Sequence, residues 1–243
     1  MPTALFFRPN KDFAMQYASS WLSYGIPEAT KRGYKVIDMI NEATTIEQLK
    51  MVMSQEKIDV AFMAGHGNAD VFTGYEQQIV FQTCTGDEVM SGIISHFLSC
   101  SVGQRLLPDI ITKKGIYTVG YQVDFEFMVN TNYSIEKDPY AEPFRDLTLT
   151  IIKKILDGAK LKEVWDAGIA KCNEWIAKLW TRTETDWAEV IATLAHDRDG
   201  LIALGDKEAY ITPPRKMAAG IPQLLLLGGV FYLLMTGRPA PSI

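Results

Sequence analysis

The chain has 243 residues, a length typical of one α/β domain, and 47% of them are hydrophobic, which is enough for a substantial core. Its formal net charge is -5 and it has no block of lysine and arginine, so nucleic acid is not an expected partner. Three cysteines without regular spacing argue against a disulfide framework and favour a reducing compartment, so we expect a cytoplasmic domain.

Cofactor and metal motifs are absent from the sequence. It has no Cys-x-x-Cys or His-x-x-x-His pair of the kind that binds zinc, and no Gly-x-Gly-x-x-Gly after its first apolar run. We therefore expect neither a metal nor a cofactor, and a nucleotide-binding domain is disfavoured. The N-terminus also lacks the basic region and long apolar run of a signal peptide.

Apolar runs and helical spacings alternate along the chain. The runs predict six strands, at residues 4–7, 33–40, 58–65, 93–100, 116–125 and 199–206. Helical patterns lie between them, at residues 11–24, 44–55, 101–115, 144–158, 161–180 and 186–196. A small hairpin is expected within residues 70–82. This alternation predicts an α/β fold with a mostly parallel six-stranded sheet and helices on both faces.

The C-terminal segment differs from the rest. Residues 217–236 form a 20-residue stretch without a charge, preceded by Arg215 and Lys216. That length suits a membrane-spanning helix, although Pro222 and the glycine pair at 228–229 weaken the pattern. We therefore divide the chain into a domain at 1–212 and a hydrophobic tail at 213–243. This tail either anchors the protein in a membrane or packs on the domain or a partner.

A lone histidine ends the most apolar of the predicted strands. The third strand stops at Gly65-His66-Gly67, and the fourth ends on Cys100. Functional residues in such folds gather at the carboxyl ends of parallel strands. A cysteine nucleophile needs a nearby base, and a helix beginning behind Cys100 would favour its thiolate. The spacing therefore makes His66 and Cys100 a candidate pair, although each could serve only in a turn or in packing.

The two glycines have chemical uses beside this pair. Gly65 and Gly67 permit a sharp turn and a close approach of substrate backbone. The amides of Gly67 and Cys100 could together form an oxyanion hole.

The remaining cysteines and histidines are weaker candidates. Cys84 lies in a polar loop, and Cys172 falls on the apolar stripe of a helix. His96 lies four residues before Cys100 in the same strand, roughly 13 Å away by strand rise, which is too far for a base. His196 ends a helix.

The segments VAFMAGHGNADVFTG, at 60–74, and HFLSCSVGQRLLPDIITKKGIYTVGYQVDFEF, at 96–127, resemble the caspase-hemoglobinase superfamily (clan CD) of cysteine peptidases. The gingipain-like and CHAT-domain branch is most similar, and residues 196–206 resemble its closing strand. The resemblance implies a caspase-like fold and a cysteine endopeptidase acting on protein or peptide substrates. It implies His66 as general base and acid, Cys100 as nucleophile, and an oxyanion hole from Gly67 and Cys100.

Two charged residues near strand ends make opposite predictions about substrate preference. Asp124, after the fifth strand, lies where relatives line the specificity pocket, and an acid there favours Arg or Lys. Arg8, after the first strand, would favour an acidic residue instead; we expect the basic preference. Only a helix joins the fourth and fifth strands, so a single-chain enzyme is expected. The alternative is an inactive caspase-like interaction module whose tail mediates assembly.

Overall fold

The computed structural model describes residues 1–182 and 187–214, and places eight strands in that part of the chain. In chain order the strands are β1 (Thr3–Arg8), β2 (Lys35–Ile40), β3 (Val60–Ala64), β4 (Val71–Thr73), β5 (Ile79–Gln82), β6 (Ile94–Leu98), β7 (Tyr117–Tyr121) and β8 (Leu201–Gly205). Six of them form one sheet in the order β2-β1-β3-β6-β7-β8. Only β8 runs antiparallel, so the predicted mostly parallel six-stranded sheet is confirmed.

Strands β4 and β5 form a separate antiparallel hairpin. It lies within the excursion expected at residues 70–82. The hairpin packs on the sheet through Phe72, whose ring lies 5.8 Å from that of Phe7 and 5.2 Å from that of Phe97. This contact brings the hairpin close to the carboxyl ends of β1, β3 and β6.

Seven α-helices connect the strands in the described residues. They are α1 (Phe13–Ser23), α2 (Gly25–Lys31), α3 (Ile46–Gln55), α4 (Leu106–Thr112), α5 (Glu142–Leu156), α6 (Leu161–Trp180) and α7 (Trp187–Gly200). One core cluster joins the sheet to α1, α2, α5, α6 and α7. A second cluster joins the opposite face to α3, α4 and the hairpin. Helices therefore cover both faces, as predicted.

The long helix α6 buries the apolar stripe expected from its sequence. Its buried residues are Leu161, Val164, Gly168, Cys172, Trp175 and Leu179. A side chain at Gly168 would lie 2.8 Å from Leu201 of β8, so glycine is required for the close approach of helix and strand. Trp180 projects into solvent at the end of the helix, with 76% of its surface exposed.

The last described residues run along the edge of the sheet formed by the amino ends of the parallel strands. The N–H group of Asp206 donates to Ile116 just before β7. A side chain at Gly158 would meet Ile211, and one at Gly33 would lie 3.1 Å from Pro214. Residue 214 therefore lies at the amino edge, opposite the carboxyl ends of β3 and β6.

The hydrophobic segment at 217–236 lies outside the described residues. Within residues 1–182 and 187–214, no helix combines the length and the apolar character needed to cross a bilayer.

Candidate active site

The carboxyl ends of β3 and β6 lie side by side. These strands pair in parallel with Ala64 opposite Leu98, and the N–H group of Gly65 continues the contact by donating to the carbonyl oxygen of Leu98 at 3.3 Å. His66 and Cys100 each lie two residues beyond this last pair, so the two predicted site residues follow neighbouring strands at the same edge of the sheet.

His66 contacts a carboxylate that the sequence reasoning missed. Its Nε2 atom lies 2.8 Å from Oδ2 of Asp12, which follows β1, the other neighbour of β3 in the sheet. A hydrogen bond of this kind fixes the ring orientation and the tautomer, leaving Nδ1 as the basic nitrogen. His66 and Asp12 are both partly exposed, as is required of groups that meet a substrate.

Asp12 uses its two carboxylate oxygens for two purposes. Oδ1 accepts a hydrogen bond from the N–H group of Met15 at 3.0 Å and so caps α1, while Oδ2 contacts His66. Partial burial raises the pKa of Asp12, but the hydrogen bonds from His66 and from the amide of Met15 outweigh it, and the net pKa lies below its ordinary value. Asp12 is therefore a carboxylate, able to stabilise a protonated His66.

The turn around His66 is held by the β4–β5 hairpin. The N–H group of Thr73 donates to the carbonyl oxygen of His66 at 2.9 Å. A Cβ atom at Gly65 would lie 2.1 Å from the carbonyl oxygen of Thr73. One at Gly67 would lie 2.4 Å from Oγ of Ser99. A side chain at either glycine would therefore clash with the chain's own atoms, and the approach of substrate backbone remains a prediction.

Two backbone N–H groups at this edge have no acceptor. Among the described residues, the amides of Gly67 and Cys100 donate no hydrogen bond, whereas those of Asn68 and Ser101 donate to Val71 and Val123. Unpaired donors beside a nucleophile are the arrangement that binds a developing oxyanion. Their position is compatible with the predicted oxyanion hole, which remains a prediction.

The Cys100 thiol is partly buried. Its Sγ atom donates to the carbonyl oxygen of Phe125 at 3.6 Å, in the segment that follows β7. Burial raises the pKa of the Cys100 thiol, and the charges of Asp124 and Glu126 raise it further. In this arrangement Cys100 is a thiol rather than a thiolate.

The expected helix directly behind Cys100 is absent, and that expectation was wrong. Ser101 has a left-handed backbone with φ of +54°, and only a short 3-10 turn follows at Val102–Gln104. The α-helix α4 begins at Leu106, after Arg105 with φ of -139°, and has seven residues. Thiolate stabilisation by a helix dipole next to Cys100 is therefore not available.

Asp124 and Arg8 lie in different electrostatic settings. Asp124 is exposed, and its Oδ1 accepts from the hydroxyl group of Ser101, the residue after Cys100, at 2.6 Å. The Arg8 guanidinium donates to both carboxylate oxygens of Asp38, at 2.6 and 2.5 Å, and its side chain is only 14% exposed. Asp124 is open to a ligand, whereas Arg8 is already paired.

His96, Cys172 and Cys84 take no part in this arrangement. His96 is fully buried inside the sheet, where Nδ1 lies 3.2 Å from the carbonyl oxygen of Val119, and burial lowers its pKa to about 4. Cys172 is buried in the core, and Cys84 is exposed on the hairpin. No group of three or more His, Cys, Asp or Glu side chains in residues 1–182 and 187–214 could hold a metal ion.

The comparisons with known proteins rest on structure alone. No family model and no curated protein matches the sequence. The crystal structure of gingipain R (RgpB), an Arg-specific cysteine proteinase, is similar with a TM-score of 0.57 at 12% identity, over 87% of this chain and 48% of that one. The fold is caspase-like.

A complex of the pro- and mature domains of Porphyromonas gingivalis RgpB matches in the same way, with a TM-score of 0.54 and 11% identity over 87% of this chain and 49% of that one. The chain therefore spans about half the length of these structures. At this identity the likeness establishes the caspase-like fold alone, and the gingipain-like and CHAT-domain branch remains a prediction from the sequence.

Proposed function

We propose that this protein is a single-chain cysteine endopeptidase. Cys100 is the nucleophile, His66 is the general base and acid, and Asp12 orients His66. The observation that supports the proposal is the contact between His66 and Asp12 at 2.8 Å, at the end of a strand whose neighbour in a caspase-like sheet leads to Cys100.

The proposed reaction follows from these groups. Nδ1 of His66 takes the proton from Sγ of Cys100, and the thiolate attacks the carbonyl carbon of the scissile peptide bond. The amides of Gly67 and Cys100 stabilise the oxygen anion of the tetrahedral intermediate. His66 then donates its proton to the departing amine, leaving a thioester. Water, deprotonated by His66, hydrolyses the thioester and restores the thiol.

The proposed substrate carries Arg or Lys before the cleaved bond. Asp124 is exposed and lies next to Ser101, so its carboxylate can pair with a basic side chain while the carbonyl group reaches Cys100. Arg8 argues less for an acidic residue, because its charge is neutralised by Asp38.

The direct test is a peptide library screened for cleavage with purified full-length protein. We expect cleavage after Arg or Lys, and loss of all cleavage in Cys100→Ala and in His66→Ala. Cys84→Ser is the matched control, because that thiol is exposed and its backbone contacts Asp109 rather than a candidate site residue, and its activity should equal that of the wild type. Cleavage by Cys100→Ala would refute the assignment.

An inactive interaction module is the second candidate. It is favoured by one observation, namely that the Cys100 thiol is partly buried, bonded to Phe125 and raised in pKa. Under this alternative the library shows no cleavage by the wild type, while the protein remains folded.

We also propose that residues 217–236 attach this cytoplasmic domain to a membrane. Support comes from the sequence, since these 20 residues carry no charge and follow Arg215 and Lys216.

A further inference from the structure

Two side chains of helix α7 form hydrogen bonds with the backbone of the segment that follows β7. Oδ1 of Asp197 accepts a hydrogen bond from the N–H group of Glu126 at 3.1 Å, and Nε2 of His196 lies 3.0 Å from the carbonyl oxygen of Asp124. Because a carbonyl oxygen can only accept, Nε2 of His196 carries the proton. Two consecutive helix residues therefore hold the backbone on both sides of Phe125.

The end of the same helix leaves no room for this segment to shift. A Cβ atom at Gly200 would lie 2.0 Å from a methyl group of Val123. From the other side, the Phe125 ring packs on Tyr121 at 4.7 Å and on Trp21 at 6.3 Å between ring centroids. The segment Val123–Glu126, called here the thiol-binding segment, is thus clamped between α7 and the aromatic core.

The thiol-binding segment supplies the hydrogen-bond acceptor of the nucleophile. The Phe125 carbonyl oxygen lies 3.6 Å from Sγ of Cys100, and both neighbours of Phe125 are the residues that α7 holds. The position of this carbonyl group, and with it the environment of the thiol, is set by His196 and Asp197.

Asp197 is an unusual choice for a purely structural anchor. Its side chain is fully buried, and in the described part of the chain its Oδ2 atom has no hydrogen-bond partner, like the nearby hydroxyl group of Tyr121. A buried polar atom without a partner costs free energy. Burial raises the pKa of Asp197 well above its ordinary range, and the charge of Glu126 adds to this.

We propose that His196 and Asp197 are positioning residues that hold the Phe125 carbonyl group against the Cys100 thiol, so that the nucleophile rests as an S–H donor to this carbonyl oxygen. The proposal rests on the proposed role of Cys100 as nucleophile. Asp124 lies in the same segment, so His196 also positions the carboxylate that is proposed to bind the basic substrate side chain.

The experiment measures alkylation of Cys100 by iodoacetamide in the full-length protein. Mass spectrometry of the Cys100 peptide separates this thiol from the exposed Cys84. The variants are Asp197→Ala and His196→Ala, with the conservative partners Asp197→Asn and His196→Gln, which keep an acceptor and a donor at these positions. Asp199→Ala, an exposed change on the same helix, controls for general effects.

We expect Cys100 in both alanine variants to be alkylated about tenfold faster near neutral pH, with the pH profile displaced to lower pH, because removing one hydrogen bond to the neutral thiol changes ionisation by about that factor. The Asn, Gln and Asp199 variants should retain the wild-type rate. Unfolding temperatures are recorded for every variant, and His196→Ala, an exposed change, remains decisive where Asp197→Ala does not fold.

Unchanged or slower alkylation of Cys100 in folded His196→Ala would overturn the proposal, as would Asp197→Asn behaving like Asp197→Ala. Alkylation requires no peptide cleavage. Faster alkylation without any cleavage of library peptides would therefore refute the endopeptidase function. It would still support the positioning of the Phe125 carbonyl group against the Cys100 thiol by His196 and Asp197.

Discussion

At the scale of single residues, the hydrogen bond between Asp12 and His66 has the largest consequence. Sequence reasoning assigned no third member to the pair, because Asp12 lies 54 positions from His66 in the chain. The pattern of a helix N-cap was readable at Asp12, since its side chain accepts from the amide three residues on. Its second role depends on β1 and β3 being neighbours, and spacing along the chain does not reveal the order of strands.

The two roles of Asp12 can be separated by substitution. Asp12→Ser keeps a capping oxygen and loses the contact with His66, so peptidase activity should fall by about 10- to 100-fold with little loss of stability. Asp12→Ala should show the same fall in activity and also lose about 1 kcal/mol of stability. Peptide cleavage rates and denaturant unfolding measure both. Full activity in folded Asp12→Ser would contradict the role of Asp12 in orienting His66.

The buried Asp197 predicts a pH dependence of stability. Because its pKa is raised in the folded state, the stability contributed by the neutral carboxyl group is fully present below the unfolded pKa of about 4 and is lost as the pH rises through the folded pKa. Asp197→Asn carries no titrating proton there. It should therefore become more stable than the wild type above about pH 4, by up to about 1.4 kcal/mol per pH unit.

Denaturant unfolding of the wild type and Asp197→Asn at several pH values checks this. A stability difference that does not grow between about pH 4 and pH 7 would show that Asp197 is ionised in the folded protein.

At the scale of elements, the β4–β5 hairpin fixes the turn that carries His66. Its anchor is Phe72, which is fully buried and stacks on the ring of Phe81 at 5.8 Å. Phe72→Ala should cost about 3–5 kcal/mol of stability, because it leaves a cavity. Ile79→Ala, on the same hairpin but 53% exposed, should cost less than about 0.5 kcal/mol.

Thermal and denaturant unfolding compare the two hairpin variants. If Phe72→Ala and Ile79→Ala were equally stable, the hairpin would not be the support of the His66 turn that its contacts indicate.

The six strands could be predicted because each is an apolar run, and β3 and β6 have all five residues buried. Helix α2 was not predicted, because Gly25 and Pro27 look like breakers. Gly25 is in fact needed where the helix meets the sheet, since a Cβ atom there would lie 2.7 Å from Phe6. The break at Ser101 to Arg105 was also unpredicted, because the left-handed backbone of Ser101 is imposed by its contacts, including the bond to Asp124.

At the scale of the whole molecule, the described chain ends opposite the candidate site. Pro214 lies against Gly33 at the amino edge, and a strand of this length separates that edge from His66 and Cys100 by about 20 Å. The proposed membrane segment begins three residues later, at Met217. Attachment there would leave the catalytic edge directed away from the membrane.

Truncation after Pro214 tests this arrangement. The shortened protein should keep its peptidase activity and unfold within a few degrees of the full chain, because the site is complete without the tail, and it should no longer float with lipid vesicles. Loss of activity in a folded truncation would place the tail in the catalytic machinery. Equal flotation of both proteins would remove the membrane role.

The central claim is that Cys100, activated by His66, attacks substrate. The most direct measurement is covalent labelling of the full-length protein by a peptidyl acyloxymethyl ketone that ends in Arg, with the modified residue identified by mass spectrometry. We expect a thioether at Cys100 of the wild type, formed at least about tenfold more slowly in His66→Ala. A label on Cys84, or on Cys100 at an unchanged rate in His66→Ala, would contradict it.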